Sequence, residues 1–490
     1  MLRDVCAVRH DHAVSSFGAI IQSMGESGMR LLSPCERIAA IADPGGGASV
    51  DDALSAPRPS PHLARWGIAA QDDDGIALAR ATMFGAPVMI AAQDERFLGG
   101  STGANHADAL RGLFERARDE RPAAVILLMA SGGVRLYEAN PAALALARAL
   151  AALLDLRVAG VRVLAIGVGD VFGGASVLAC AADRIALVAG TKLGLSGPRV
   201  IEMAHGRGEL DASDATAVNA LFGAEARAAA GEVDLVADDR EVIRAWIGAG
   251  LRDERGFAER VHSSQARLSE RWADRAKRAD PGTPRDDAET PPPLANLYAD
   301  AHSVDSGNAL WRVNNRPVWI TRPCSPRTFG PREAHALDAA LLAQFADDGP
   351  RDGETVILVE DSPGHEATAA AEALCVSQFL AQHAAVLTLL RARGVRLVGL
   401  LAGTGHSAAF FSNALQAPRV YALQGARVVA MEPPAIARVT RLDPAKLDAL
   451  IEDDPALGHP VRNFSAWGGI AQVLPDADRD RLLALASGSP

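Results

Sequence analysis

The tandem glycines Gly132 and Gly133 are the first residues in this sequence whose type and spacing could do chemistry. They follow the apolar run Val125–Met129 and precede an Ala/Leu-rich stretch, so the pattern predicts a buried strand, a turn and a helix. Glycine lets a backbone approach a ligand closely, and a helix start leaves N–H groups without intrahelical acceptors. Because two such donors can stabilise an oxygen that becomes negative in a reaction, this turn is a candidate oxyanion hole.

Similar turns recur at three other places. They are Gly173–Gly174, Pro363–Gly364 and Thr404–Gly405, the last of which is followed by Ser407. A glycine between a strand and a helix is more often plain turn chemistry than a ligand site. The functional interpretation therefore depends on the recurrence of the turn at matching places in the two halves of the chain.

The elements that must position these turns follow the same order in both halves: strand, glycine turn, helix, strand, glycine turn, helix, strand. This alternation predicts an α/β fold with parallel sheets and right-handed crossovers. Order and spacing indicate an internal repeat. The matching pairs are Gly133 with Gly364, Gly160 with Gly394, Gly169 with Gly403, Arg184 with Arg419, Gly190 with Gly425, and Pro198 with Pro433.

A charged, proline-rich segment separates the halves. Residues 263–305 lack apolar periodicity and are predicted to be a linker, whose first part up to about Lys277 could be an exposed helix. The expected domains are therefore residues 1–262 and 306–490.

Composition excludes several classes of function. A formal net charge of −11 disfavours nucleic-acid binding, and the apolar runs are too short for a membrane span or a signal peptide. The five cysteines lie far apart, which predicts neither a disulfide framework nor a zinc ribbon and favours a reducing cytoplasm. No phosphate-loop, dinucleotide, HExxH or GxSxG motif occurs, so no metal site and no serine hydrolase is predicted.

Longer stretches resemble a known enzyme family. "SGGVRLYEAN", "FGGASVLACAADRI" and "GLSGPRVIE" resemble the β subunit of biotin-independent malonate decarboxylase. "DSPGHE", "ALQAPRVYALQGARVVAMEPPAIARVTRL" and "VRNFSAWGGIAQVLP" resemble its γ subunit. The resemblance covers about residues 14–260 and 306–475. It implies two tandem crotonase-like ββα-spiral domains of the carboxyltransferase superfamily, here fused in one chain.

The resemblance also implies a reaction. A malonyl thioester on an acyl-carrier protein loses CO₂ and becomes the acetyl thioester. The implied prosthetic arm, a phosphoribosyl-dephospho-CoA group, arrives on the carrier protein, so neither biotin nor another cofactor bound to this chain is expected. The implied partners are that carrier protein and an acyl-carrier transferase (α) subunit, and a homo-oligomer is left open.

Site residues follow from the turns and the resemblance together. Gly132 and Gly133 are expected to hold the thioester oxygen, with Gly173–Gly174 as a second nest or a wall of the acyl pocket. Tyr137 is a candidate proton donor, with packing as the alternative. Candidate substrate-binding residues, for many of which a structural role is the alternative, are Ser131, Arg135, Glu138, His106, Ser196, Gly197, Gly364, Thr404, Gly405, His406 and Ser407.

The sequence departs from the family in both halves. Ala130 stands where an acidic residue is expected, and Ala408 and Ala409 stand where the family often has glycine. The second half could therefore be mainly a scaffold. Two other functions remain open: a biotin-dependent acyl-CoA carboxyltransferase on the same fold, and a non-catalytic scaffold that docks a carrier protein.

Overall fold

The computed structural model describes residues 28–44, 49–50, 58–278, 294–346 and 349–487. The chain forms two compact units. Unit 1 comprises Met1–Arg135 and Ala152–Gly256, and unit 2 comprises Leu136–Ala151 and Phe257–Pro490. The division after Gly256 lies close to the expected boundary at residue 262, whereas the transfer of residues 136–151 to unit 2 differs from the expectation.

Unit 1 is built on a mixed sheet with the strand order β1-β2-β3-β4-β5-β6-β8, and β7 pairs with β5. The pairs β1·β2 and β2·β3 are antiparallel, and the remaining pairs are parallel. The strands are β1 Ser49–Val50, β2 Ile76–Met83, β3 Ala86–Gln93, β4 Ala124–Ser131, β5 Arg162–Phe172, β6 Arg184–Val188, β7 Leu193–Gly194 and β8 Asp234–Val236.

Unit 2 is built on a second mixed sheet in the order β17-β15-β13-β12-β11-β10-β9, in which the pairs β9·β10 and β10·β11 are antiparallel and the others are parallel. Strands β14 and β16 form a separate parallel pair. The strands are β9 Ala301–Ser303, β10 Leu310–Val313, β11 Val318–Thr321, β12 Thr355–Glu360, β13 Arg396–Leu401, β14 Thr404–His406, β15 Val420–Leu423, β16 Arg427–Val429 and β17 Gln472–Leu474.

Helices connect the parallel strands, as the alternating pattern predicts. In the described part of unit 1 and at the junctions they are α1 Pro34–Ile41, α2 Ala104–Glu120, α3 Asn140–Val158, α4 Gly174–Cys180, α5 Pro198–His205, α6 Ala215–Phe222, α7 Ala224–Ala229, α8 Arg240–Leu251 and α9 Phe257–Arg278. In unit 2 they are α10 Ala295–Tyr298, α11 Pro331–Gln344, α12 Ala369–Glu372, α13 Val376–Ala392, α14 Ser407–Ser412, α15 Pro433–Thr440, α16 Pro444–Asp453, α17 Val461–Ser465 and α18 Arg479–Ser487.

The central strands are buried, which explains their continuous apolar runs. All eight residues of β4 and all six of β12 are buried, as expected for parallel strands covered on both faces. The expected α/β fold with parallel sheets is therefore confirmed. The interpretation of the two halves as a crotonase-like internal repeat remains a prediction.

The two ends of the expected linker, residues 263–305, have different outcomes. Its first part belongs to α9, which confirms the expected helix. The linker prediction is wrong from residue 294 onward, because Leu294, Leu297 and Tyr298 pack into the core of unit 2 and Ala301–Ser303 pairs with its sheet. Residues 279–293 lie outside the described residues.

Two features of the described chain bear on its class. Cys35 is disulfide-bonded, whereas Cys180, Cys324 and Cys375 form no disulfide. A single bond of this kind is not the disulfide framework that the cysteine spacing argued against. Among the helices that the structure describes, none has the length and apolar character needed to cross a bilayer.

Candidate active site

Two glycine turns meet at the ends of neighbouring strands. Strand β4 ends at Ser131 and leads into Gly132–Gly133, and the parallel strand β5 leads into Gly173. A Cβ added to Gly173 would lie 2.8 Å from the Cα atom of Gly133, and both glycines have positive φ, +63° and +97°. Any side chain at either position would therefore collide with backbone, so glycine is required for this contact.

The amides expected to form the oxyanion hole already have acceptors. Gly132 donates its N–H to the carbonyl oxygen of Gly99 over 3.1 Å. Gly133 donates its N–H to the Oγ atom of Ser131 over 3.2 Å, and this hydroxyl in turn donates to the carbonyl of Gly100. The turn around Gly99 and the side chain of Ser131 thus accept these two N–H groups, and the expectation that Gly132 and Gly133 hold the thioester oxygen remains a prediction.

Two adjacent amides remain available. Within the described residues, Val134 and Gly174 donate their N–H groups to no acceptor. Gly174 is the first residue of α4, where an N–H has no intrahelical partner. The N atom of Val134 would lie 3.7 Å from a Cβ on Gly173, so both amides adjoin the contact between the two turns. The candidate oxyanion hole therefore pairs Gly174, a residue of the predicted second turn, with Val134, which directly follows the predicted Gly133.

A closed network of buried polar groups supports the first turn. Arg135 is 0% exposed and its Nη1 atom donates to Asp74 Oδ1 over 2.5 Å. Asp74 Oδ2 accepts the backbone N–H of His106, which is 1% exposed. These polar atoms bond within the unit, and the expected substrate-binding roles of Arg135 and His106 remain predictions.

The imidazole of His106 positions the strand end rather than a ligand. Burial and the nearby Arg135 charge lower the pKa of His106 to about 3, so the ring is neutral. Its Nε2 atom lies 3.0 Å from Gln93 Nε2, which can only donate, so Nε2 accepts and Nδ1 carries the proton toward the Asp74 carbonyl. Gln93 Oε1 accepts the N–H of Ala130, directly before the turn.

A cavity of about 520 Å³ opens beside the first turn in unit 1. One of its carboxylates, Glu95, is held by two hydrogen bonds from the buried guanidinium of Arg37, 2.7 and 2.9 Å long. Two cations, Arg30 and Lys192, also line it. The lining residues are Arg30, Leu31, Glu95, Gly99, Ser131, Gly132, Val168, Gly169, Asp170, Phe172, Lys192 and Asp238.

Sequence reasoning missed most of this cavity. Arg37 and Glu95 lie 58 positions apart, and neither belongs to a motif that spacing could reveal. Lys192 stands between β6 and β7 and faces Asp170 at 3.5 Å. Only the approach of these segments in the folded unit brings the charges to the glycine turn.

The corresponding turn in unit 2 also has occupied amides. Gly364 donates its N–H to Ser362 Oγ over 3.0 Å, as Gly133 does to Ser131 in unit 1. Thr404 donates its N–H to Asp361 Oδ1 over 2.9 Å. The N–H groups of Gly364 and Thr404 are therefore used within unit 2, and the expected nests at Pro363–Gly364 and Thr404–Gly405 remain predictions. In the part of the chain that the structure describes, no group of three or more His, Cys, Asp or Glu side chains could hold a metal ion.

Two protein families match successive segments of the chain. Residues 34–249 match the carboxyl transferase domain, and residues 326–487 match the malonate decarboxylase gamma subunit. The chain belongs to the carboxyltransferase superfamily. It joins a carboxyl transferase domain to a malonate decarboxylase gamma domain, as the quoted motifs predicted.

Individual relatives resemble different parts of this chain. The malonyl-S-ACP:biotin-protein carboxyltransferase MADC of Malonomonas rubra is 33% identical over 37% of the chain and 61% of its own length. The acetyl-coenzyme A carboxylase carboxyl transferase subunits beta/alpha of Salinispora tropica are 29% identical over 84% of the chain and 76% of their own length. The comparable protein from Parafrankia is 34% identical, but the chain spans only 29% of its length.

A solved structure of similar sequence is the Pseudomonas malonate decarboxylase hetero-tetramer in complex with malonate. It is 31% identical, covers 56% of this chain and 96% of its own, and has a TM-score of 0.46.

The remaining candidate residues fall into two groups. Ser196 is buried, and Gly197 directly precedes α5. The residue before Ser196 is Leu195, whose carbonyl accepts the N–H of Gly173 over 3.1 Å. Tyr137 is half-buried and Glu138 is 0% exposed, and both belong to unit 2. The expected roles of Tyr137 and Glu138 remain predictions.

In unit 2, Gly405 and His406 lie in β14, and Ser407 begins α14 with a positive φ of 51°. His406 Nδ1 contacts the Pro363 carbonyl. Their expected roles in substrate binding remain predictions.

Proposed function

We propose that the chain catalyses the decarboxylation of a malonyl thioester carried by an acyl-carrier protein, releasing CO₂ and leaving the acetyl thioester. One observation carries the proposal: the paired, unoccupied amides of Val134 and Gly174 beside the contact of the two glycine turns. The match of residues 326–487 to a malonate decarboxylase subunit supports malonyl as the acyl group.

The amides would act on the charge that forms during bond cleavage. When the bond between the α-carbon and the carboxylate breaks, the carboxylate leaves as CO₂. The electron pair of that bond stays with the α-carbon and delocalises onto the thioester oxygen, which gives an enolate. The α-carbon then takes one proton, which completes the acetyl group. A preorganised amide donor of this kind typically contributes about 3–4 kcal/mol, roughly a hundred- to a thousandfold in rate.

The cavity beside the turn would receive the arm that carries the thioester. Its cations Arg30 and Lys192 suit the phosphate groups of a phosphoribosyl-dephospho-CoA arm, and its half-buried Phe172 offers an apolar wall. This arm would be delivered by a carrier-protein partner. An acyl-carrier transferase subunit would be a second partner, in keeping with the hetero-tetramer of the Pseudomonas enzyme.

A second function deserves comparison because of one relative. The Malonomonas protein is a carboxyltransferase that moves the carboxyl group of malonyl-S-ACP to a biotin protein. The same amides would stabilise the same enolate in that reaction, but the CO₂ unit would be captured by biotin.

Release of CO₂ tests these functions against each other. The purified chain is incubated with carrier protein loaded with carboxyl-labelled malonate, with and without avidin to sequester biotin. We expect labelled CO₂ and acetyl-carrier in both conditions. Turnover only in the presence of a biotinylated acceptor would contradict decarboxylation and indicate carboxyl transfer. Absence of both activities would indicate a scaffold that docks the carrier protein.

A further inference from the structure

The cavity beside the first turn of unit 1 has a carboxylate in its wall that a buried arginine holds in one orientation. The side chain of Glu95 is 38% exposed, whereas that of Arg37 is 1% exposed. Arg37 Nη2 donates to Glu95 Oε1 over 2.7 Å, and Nη1 donates to Oε2 over 2.9 Å. Because this two-point contact fixes the plane of the carboxylate, Glu95 presents a rigid acceptor to the cavity.

The guanidinium of Arg37 serves only to hold its neighbours, because all of its donors are in use. Nε donates to the Met29 carbonyl over 3.0 Å, Nη2 to the Arg30 carbonyl over 3.0 Å, and Nη1 to the Gln93 carbonyl over 2.9 Å. With the two bonds to Glu95, these account for the five N–H groups of an arginine. Arg37 therefore has no N–H left for a ligand and can act only through Glu95.

Glu95 itself keeps acceptor capacity that the protein does not use. An ionised carboxylate offers about four lone-pair sites, of which Arg37 takes two. In the part of the chain that the structure describes, no other group donates to this carboxylate. Exposure to solvent weakens an ion pair, so a carboxylate needed only to neutralise Arg37 would serve better if it were buried. Its exposure to the cavity indicates a second partner, which a ligand would supply.

The cations of the same cavity suit an anionic group. Arg30 is exposed, and its guanidinium forms no ion pair with any residue that the structure describes. Lys192 is half-buried, and its Nζ atom lies 3.5 Å from Asp170 Oδ2. Asp238 accepts the backbone N–H of Arg30 over 3.3 Å. The cavity thus combines two cations for an anionic group with one fixed carboxylate, Glu95, for a hydrogen-bond donor.

These charges restrict the ligand to one chemical class. A carboxylate repels an anionic ligand unless the ligand offers it a hydrogen-bond donor. Arg37 already neutralises Glu95, so the remaining lone pairs suit a neutral N–H or O–H group better than a second full cation. A ligand that satisfies the cavity therefore carries an anionic group at one end and a neutral donor along its length. A volume of about 520 Å³ accommodates a molecule of this kind.

We propose that Glu95 accepts a hydrogen bond from a neutral amide or hydroxyl group of a phosphorylated ligand whose phosphate lies at Arg30 and Lys192. Arg37 is a positioning residue in this arrangement. Pantetheine 4′-phosphate belongs to this ligand class, because it joins a phosphate to a hydroxyl and two amides, and it is common to carrier-borne arms and free coenzyme A. Delivery by a carrier protein rests on the proposed function, whereas recognition of the free ligand does not.

Binding of two probes tests this role of Glu95. The full chain and the variant Glu95→Gln are titrated calorimetrically with pantetheine 4′-phosphate and with inorganic phosphate. We expect Glu95→Gln to weaken binding of the first probe about tenfold or more, because a hydrogen bond to a charged acceptor is lost. Inorganic phosphate, which contacts only the cations, should bind as in the parent chain or more tightly. Equal changes for the two probes, or no binding of pantetheine 4′-phosphate to the parent chain, would overturn the proposal.

A control variant and a changed probe separate recognition from folding. Glu120 is also held by an arginine, Arg80, at 2.7 and 3.2 Å and is 39% exposed, but it does not line the cavity. Glu120→Gln should therefore leave both affinities unchanged. Pantetheine 4′-phosphate methylated at its amide nitrogens and hydroxyl has lost these donors, so it should bind the parent chain about tenfold more weakly than the unmethylated probe. Full affinity of the methylated probe would contradict the proposal even if Glu95→Gln failed to fold.

The source of the ligand is decided by two further titrations. Coenzyme A and a carrier protein that bears the arm are titrated against the parent chain, and the tighter of the two identifies the source. Weaker binding of either in Glu95→Gln supports the proposal, and unchanged affinity for both would overturn it. Because these titrations need no turnover, failure of this proposal and failure of decarboxylation are distinguishable.

Discussion

At the scale of single residues, burial and hydrogen bonding decide roles that residue type leaves open. Arg135 and His106 belong to types that often bind ligands, yet both are enclosed with Asp74 and Gln93. The glycines of the first turn were predicted correctly as a backbone feature. The bond from the Gly132 N–H to the Gly99 carbonyl could not be predicted, because it forms only through tertiary contact.

Replacement of Arg135 tests its structural role. Arg135→Met leaves the buried carboxylate of Asp74 without its charge partner, so we expect the free energy of unfolding to fall by about 3–5 kcal/mol. KM for the thioester should stay unchanged in the folded fraction. Urea unfolding and steady-state kinetics measure the two quantities.

The half-buried Arg111 on the surface of α2 serves as the control for this variant. It pairs with Asp108 and Glu115 on α2, and Arg111→Met should cost at most about 1 kcal/mol. A raised KM in Arg135→Met with an unchanged free energy of unfolding would instead indicate that Arg135 binds substrate.

At the scale of elements, the sequence predicts well wherever apolar runs and glycine turns alternate. The run Val125–Met129 lies inside β4, and the predicted short helix after Gly173 is α4. The close approach of Gly133 and Gly173 could not be predicted, because it depends on how far β5 extends past β4. A register shift between Met129 and Ser131 determines that offset.

A single methyl group tests the contact between the turns. In Gly173→Ala the new Cβ would lie 2.8 Å from the Gly133 Cα at a φ of +63°. Gly231 has a similar φ of +70°, but a Cβ there would meet no atom within 4 Å. In Gly231→Ala the free energy of unfolding should therefore fall only by the cost of the left-handed conformation, about 1–2 kcal/mol. We expect a larger loss in Gly173→Ala, measured by urea unfolding, and equal losses would contradict the contact.

At the scale of the whole molecule, the sequence predicted two α/β units but not their membership. Residues 136–151 follow the first glycine turn directly and still belong to unit 2, where Asn140 binds the loop at Pro455–Gly458. These partners lie more than 300 positions apart. Periodicity describes neighbours in sequence and carries no information about such distant bonds.

Buried titratable groups in the two units predict opposite limits of stability. His106 has a pKa of about 3 in the folded chain and an ordinary value of 6.5, so the unfolded chain binds the extra proton and stability falls as pH drops below about 6.5. Burial raises the pKa of Glu360 from 4.5 to about 8, so stability falls as pH rises through that interval. Each pKa unit corresponds to about 1.4 kcal/mol.

Neutral replacements should remove each limit separately. His106→Gln should flatten the acid side of a urea-midpoint profile, and Glu360→Gln should flatten the side between about pH 4.5 and 8 while keeping the bond from Asn413. A profile that keeps its shape in both variants would show that other groups govern the pH dependence.

The central claim concerns one backbone N–H, and proline can delete it. Gly174 is the first residue of α4, a position that accepts proline because its N–H has no intrahelical acceptor. Gly174→Ala adds a Cβ at the same place and keeps the N–H. Release of CO₂ from malonyl-carrier by the two variants is the most direct measurement. The account predicts that kcat falls about a hundred- to a thousandfold in Gly174→Pro and stays near the parent value in Gly174→Ala. Equal kcat values in two folded variants would contradict it.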